Sequence, residues 1–113
     1  MDKAIDATFE IFGEGSAFRK SDGEKYQARR NRAVFDIMTF YFSKHDLRTR
    51  GIERRQKVEE AFRVLCRRSD FVRTLETTTK SLGATQYRLA EWGQALSKVL
   101  ELPVQVPEIR AAQ

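Results

Sequence analysis

Side chains that do chemistry are sparse in this sequence and are not spaced to work together. Glu59 and Glu60 adjoin as an acid and a base would, and Asp36 could face the single histidine, His45. Either pair needs a shared geometry and displaced pKa values that spacing does not supply, so surface carboxylates and an exposed loop histidine account for them. Ser16 lies in Gly-Glu-Gly-Ser, without the strand and elbow that present a nucleophile, and reads as a turn serine. The one cysteine, Cys66, has no disulfide partner; it falls on the apolar face of a helical repeat and reads as a small core residue. One Cys and one His supply neither a structural zinc site nor a Cys/His pair. The residues assign no catalytic, cofactor-binding or metal-ligating position, and the isolated chain reads as no enzyme.

Charge is the remaining chemistry. The net charge of +5 is uneven: residues 1–28 carry −2, residues 29–36 carry +2, and residues 44–73 hold ten basic and five acidic side chains. Within 44–73, Arg48, Arg50, Arg54, Arg55, Lys57, Arg63 and Arg67 are the candidates for nucleic-acid contact. Each phosphate they neutralise would release counterions and make DNA binding salt-dependent. Glu53, Glu59, Glu60 and Asp70 interrupt the run, and Glu59 and Glu60 precede Arg63 at ion-pair spacing, so a solvated, self-paired helix face is the competing reading. Trp92 falls within an apolar stripe and reads as core, whereas Tyr87, at a helix start, is open to two readings, core packing or a partly exposed ring that stacks on a base or anchors a partner.

The elements that would position these residues are helical throughout. In Asn31 to Phe42, NRAVFDIMTFYF, residues Val34, Ile37, Met38, Tyr41 and Phe42 follow i, i+3, i+4, i+7, i+8, and Phe35 and Phe40 lie off that face. The spacing predicts a central helix over about 31–44, capped near Asn31 and covered on more than one side. Before it, a helix runs from Asp2 or Lys3 to Phe12, with Ile5, Phe9 and Phe12 inward and Gly13 as its stop; a loop follows, pinned by Ala17-Phe18. After it come a loop from His45 to Gly51, with at most a single turn capped by Asp46, and a third helix from Ile52 to Arg67. A fourth helix is capped by Ser69 or Asp70 and blurred at Thr77, Thr78 and Thr79. Gly83 is the next break, and a fifth helix spans about Ala84 to Leu102, ended by Pro103. Four to five helices in one compact all-α bundle, a single domain over 1–102 and an extended or disordered tail over 103–113 are expected. No apolar run approaches the ~20 residues of a membrane span, so a soluble, cytoplasmic chain is expected.

The order of pieces matters more than any one of them. FEIFGEGSAFR (Phe9 to Arg19), NRAVFD (Asn31 to Asp36), SDFVRTLETTTKS (Ser69 to Ser81) and YRLAEWGQALSKVL (Tyr87 to Leu100) resemble the C-terminal helical region of the GmrSD-type family, whose members carry an N-terminal ParB/sulfiredoxin-like domain. Phe12-Gly13, Ala17-Phe18-Arg19, Asn31, Ala33, Phe35, Thr78, Arg88 and Trp92 fit the family's pattern, and Arg32, Val34 and Asp36 depart from its Asn-Lys-Ala-Leu-Phe-Glu form. The family's activity is nucleotide-dependent restriction of modified or phage DNA. Its acidic-Gly-Gln-Gln-Arg hallmark is absent from these residues, so the resemblance implies the non-catalytic helical part, acting by packing against a ParB/sulfiredoxin-like domain, with the basic stretch touching DNA. The rival expectation is a free-standing interaction or regulatory module that binds its own copy as a homodimer or another protein.

Overall fold

The computed structural model describes residues 2–76 and 82–108. Its helices are α1 (Lys3–Phe12), α2 (Arg32–Phe42), α3 (His45–Glu53), α4 (Arg55–Leu65), α5 (Ser69–Glu76) and α6 (Leu82–Leu100). The described residues contain no strand; Ser21 and Tyr26 form an isolated antiparallel bridge. The radius of gyration, 13.2 Å, is that of a compact chain of this length, about 13 Å.

Local chemistry sets the helix ends. Asp2 Oδ1 accepts from the backbone N–H groups of Ala4 (2.8 Å) and Ile5 (3.2 Å), and Asn31 Oδ1 accepts from that of Val34 (3.1 Å), which starts α1 and α2. α6 stops where Glu101 takes a positive φ of 54° and the Leu102 N–H returns to the Ser97 carbonyl at 3.3 Å, a Schellman closure made without glycine. The inner face of α2 is sealed: Val34, Ile37, Met38, Tyr41 and Phe42 are at most 1% exposed, and each such side chain stabilises the fold by roughly 1.5–3 kcal/mol. α2 packs on α1, α3, α5 and α6, and α6 packs on α2, α3, α4 and α5. Phe18, buried with a φ of 62°, fixes the loop after α1, its ring 5.4 Å from Phe9 and 5.0 Å from Phe35.

Six helices stand where four to five are expected. The additional one is α3, in the segment read as a loop. Its inner side is only Leu47 and Gly51, and Gly51 sits inside a helix because a Cβ there would meet Phe42 at 3.1 Å and Ile11 at 3.2 Å. The expected third helix is interrupted at Arg54 (φ −113°, ψ 34°), so α3 and α4 meet there at an angle. Gly83 is the second residue of α6 and not a break before it. α1 is rotated from expectation: Ala4, Ala7, Thr8, Ile11 and Phe12 are buried, while Ile5 and Phe9 are half-buried. Small residues on that inner side let α1 lie close to α2. The expectation for Thr77 to Thr79 and for residues 109–113 falls outside the described residues. Residues 103–108 turn back along α6, where Gln86 Nε2 donates to the Pro107 carbonyl (2.9 Å) and Val104 packs against the core.

Candidate functional site

The structure sends much of the basic segment inward, onto carbonyls at the ends of helices and loops. Arg48 Nη1 donates to the Phe42 (3.1 Å) and Ser43 (3.2 Å) carbonyls at the end of α2. Arg50 Nη1 reaches the Leu100 carbonyl at 2.9 Å, and Arg54 Nη1 reaches the Val99 carbonyl at 3.0 Å and Glu101 Oε2 at 2.7 Å. Three guanidiniums therefore neutralise the negative poles of α2 and α6, whose last carbonyls lack intrahelical partners. Arg54 with Lys57 and Arg50 nearby lowers the pKa of Glu101. Arg67 Nη2 donates to the Gly23 carbonyl at 3.3 Å and, with Lys20–Glu76 (2.8 Å) and Tyr26 Oη to Glu59 (3.3 Å), holds the loop around 20–27 against α4 and α5. Gly23 has a φ of 103° and lies under Arg67, where a Cβ would come within 2.8 Å of Nε.

Of the other candidates, Arg63 is half-buried, with its Nε unbonded among the described residues. Arg55 and Lys57 are exposed and make no hydrogen bond or ion pair with a described residue. The Arg50→Ala variant is expected to lose about 1–2 kcal/mol of stability, since it frees the Leu100 carbonyl. Arg55→Ala is expected to leave the denaturant midpoint unchanged. Equal effects at the two positions would contradict the inward placement.

The acid–base pairs do not assemble. Asp36 is bound to Arg32 (3.2 Å), and His45 Nδ1 lies 3.4 Å from Arg48 Nη2 on the surface. Glu59 accepts from Tyr26, while Glu60 lies exposed on a different face. Cys66 is 3% exposed, and burial pushes its thiol up to about 11, so it stays protonated at neutral pH. Maleimide is expected to leave the native Cys66 unlabelled at pH 7.5 and to label it on unfolding; rapid native labelling would contradict its burial.

Two arrangements lay outside the reach of sequence. The first joins α5 to α6. Arg68 Nη2 donates to Tyr87 Oη (2.7 Å) and bonds Asp70 (3.3 Å), Arg68 Nη1 bonds Glu91 (2.7 Å), and Tyr87 Oη donates to Asp70. Tyr87 and then Arg68 hold the Asp70 carboxyl down to about 2. The unfolded chain protonates this group in the ordinary range near ~4, so its contribution is complete above that range and is lost as pH falls from about 4 to about 2. The difference in melting temperature between the wild type and Asp70→Asn is therefore expected to hold from about pH 7 to pH 5 and to close near pH 2. A difference unchanged at pH 2 would contradict the assignment.

The second arrangement is the outer face of α4 and α6. The two helices run antiparallel, because Arg54 at the start of α4 bonds the end of α6 and Arg68 beyond the end of α4 bonds Glu91. Between them lies a shallow groove lined by Ala61, Val64, Ala95 and Val99. Val64 is 49% exposed there, one of two large apolar side chains the described residues leave out, with Leu82. Lys57 and Lys98 border one end and Arg68 and Glu91 the other, and Glu60 and Gln94 also line it. The sequence signal is a second apolar repeat, Ala61 and Val64 beside Ala95 and Val99, a quarter turn off the buried stripes. It is too short to register as a face of its own.

Comparison of the chain with family models, curated proteins and solved structures gives no match. The GmrSD-like resemblance rests on the residues that carry it, and several of these pack or cap helices. Ala17 and Phe18 are buried in the core, Asn31 caps α2, and Trp92 is fully buried. Buried Arg88 joins α6 to α5 through the Thr74 carbonyl (2.6 Å), its pKa lowered by burial. Thr78 lies outside the described residues. No helix of the described residues is long and apolar enough to cross a membrane.

Proposed function

We propose that this chain is a non-catalytic helical docking module, of the kind the GmrSD-like resemblance implies, and that it meets another polypeptide through the α4–α6 face. The observation that carries this reading is Val64, half-exposed in a groove floored by Ala61, Ala95 and Val99 and rimmed by charged side chains, Glu60 among them. Isolated exposed apolar residues are ordinary on protein surfaces, whereas an apolar strip rimmed by charge between two helices has the composition of an interface core. The polypeptide is a copy of the same chain or a ParB/sulfiredoxin-like domain.

The buried, protonated Cys66 makes a simple test available, because a Val64→Cys variant carries one reactive thiol in its native state. Maleimide labelling of that thiol is expected to slow as chain concentration rises or when a ParB/sulfiredoxin-like domain is added. A rate indifferent to both would contradict the reading.

Contact with DNA is a second reading, favoured by Arg55 and Lys57, which are exposed and free of bonds to described residues. If it holds, fluorescence anisotropy on a short duplex shows binding that weakens with salt and is lost when both are replaced by alanine. Absence of any salt-dependent binding would remove it.

A further inference from the structure

We infer that the occupant of the α4–α6 face is a second copy of this chain, set antiparallel across a two-fold axis. The inference rests on the docking reading above and adds the occupant and its register. The groove carries its charges asymmetrically along its length. Lys57 and Lys98, both exposed, outnumber Glu60 at one end. At the other end a single guanidinium, Arg68, is shared between two carboxylates, Glu91 and Asp70, so that end is locally negative.

A groove positive at one end and negative at the other matches a reversed copy of itself. The register follows from α6. Lys98 and Glu91 are seven residues, or about two helical turns, apart on one side of the helix, on either side of Gln94 and Ala95. A two-fold axis passing beside Ala95 and Ala61 then sets Lys98 of each copy against Glu91 of the other. The two alanines at the crossing let the helices approach closely, and Val64 fills the groove of the opposing copy. A parallel pairing would instead place the lysine-bearing ends together. Isologous contacts of this kind close on themselves and leave no unsatisfied face. The face spans about three turns of each helix, so the interface belongs to the small class, below about 1,200 Å² in total, and the dimer is weak.

The test uses sedimentation velocity of the full chain at up to about 1 mM, a concentration suited to an interface of that class. Wild type is expected to show a concentration-dependent monomer–dimer equilibrium. Val64→Glu, at an exposed position, is expected to be monomeric with an unchanged circular dichroism spectrum. Lys98→Glu alone and Glu91→Lys alone each place like charges at both contacts and are expected to be monomeric. Their equimolar mixture restores both opposite-charge pairs and is expected to form heterodimers, as the double variant is expected to form homodimers. A wild type that stays monomeric throughout, or a mixture no more associated than its components, would overturn the inference. A monomeric wild type whose Val64→Cys thiol is protected by a ParB/sulfiredoxin-like domain removes the second copy and leaves the docking reading. Protection by neither removes both.

Discussion

Replacing Gly93 with alanine is expected to destabilise this protein by about 3 kcal/mol, although the same change in an ordinary helix interior gains ~1 kcal/mol from propensity. Gly93 is buried in α6, and a Cβ on it would overlap the Tyr41 hydroxyl, come within 2.9 Å of Tyr41 Cζ and lie 3.1 Å from Val106. Tyr41 cannot withdraw cheaply. Its side chain is 1% exposed and its hydroxyl donates to the Leu89 carbonyl at 2.6 Å, a bond whose loss in the interior costs about 1–3 kcal/mol. Burial pushes that hydroxyl up to about 12, so it remains a donor across the physiological range. The urea midpoint of Gly93→Ala should therefore fall by roughly 1–3 M. In a Tyr41→Phe background the same substitution should cost at least about 1 kcal/mol less, because the closest atom is gone and Cζ, at 2.9 Å, is what remains. A stabilising Gly93→Ala, or an effect independent of Tyr41, would show that α2 and α6 do not approach as described.

Trp92→Ala is expected to cost about 3–5 kcal/mol, a substantial share of the about 5–15 kcal/mol that holds such a domain folded. The indole is completely buried and meets Phe62 edge-to-face at 5.4 Å, joining α6 to α4 beneath the groove. Its Nε1 is buried without a hydrogen-bond partner among the described residues. Trp92→Phe keeps an aromatic ring and removes the unsatisfied donor, so its loss should be well under half that of Trp92→Ala. Chemical denaturation followed by circular dichroism separates the two. Equal losses would mean that the N–H has an acceptor and that the ring contributes little.

Both predictions depend on residues whose burial the sequence announces. The period of α2, the Asn31 cap and the stripe through Leu89, Trp92, Leu96 and Leu100 are legible because apolar spacing and cap chemistry act over a few residues. α3 is not legible, since Leu47, Gly51 and a half-buried Ile52 make a weak repeat, and glycine ordinarily interrupts a helix. What supports α3 is remote: Phe42 and Ile11 leave no room for a side chain at Gly51, and Arg50 finds its acceptor on α6. The same holds for the basic segment. A count of arginines gives the charge but not the direction of the guanidiniums, and the free carbonyls of α2 and α6 decide that direction for Arg48, Arg50 and Arg54. The α4–α6 groove exists only once two helices 30 residues apart in the chain lie side by side, so the short apolar repeat on each helix does not announce it.

Dilution of a ¹⁵N-labelled chain from about 1 mM to about 20 µM, followed by amide chemical shifts, tests the pairing of two copies through the α4–α6 face at residue resolution across the range expected for a weak dimer. The account predicts that the resonances of Ala61, Val64, Ala95 and Lys98 move with concentration while those of α1 stay fixed. Shifts invariant throughout α4 and α6, or changes centred on α1 and α2, would contradict it.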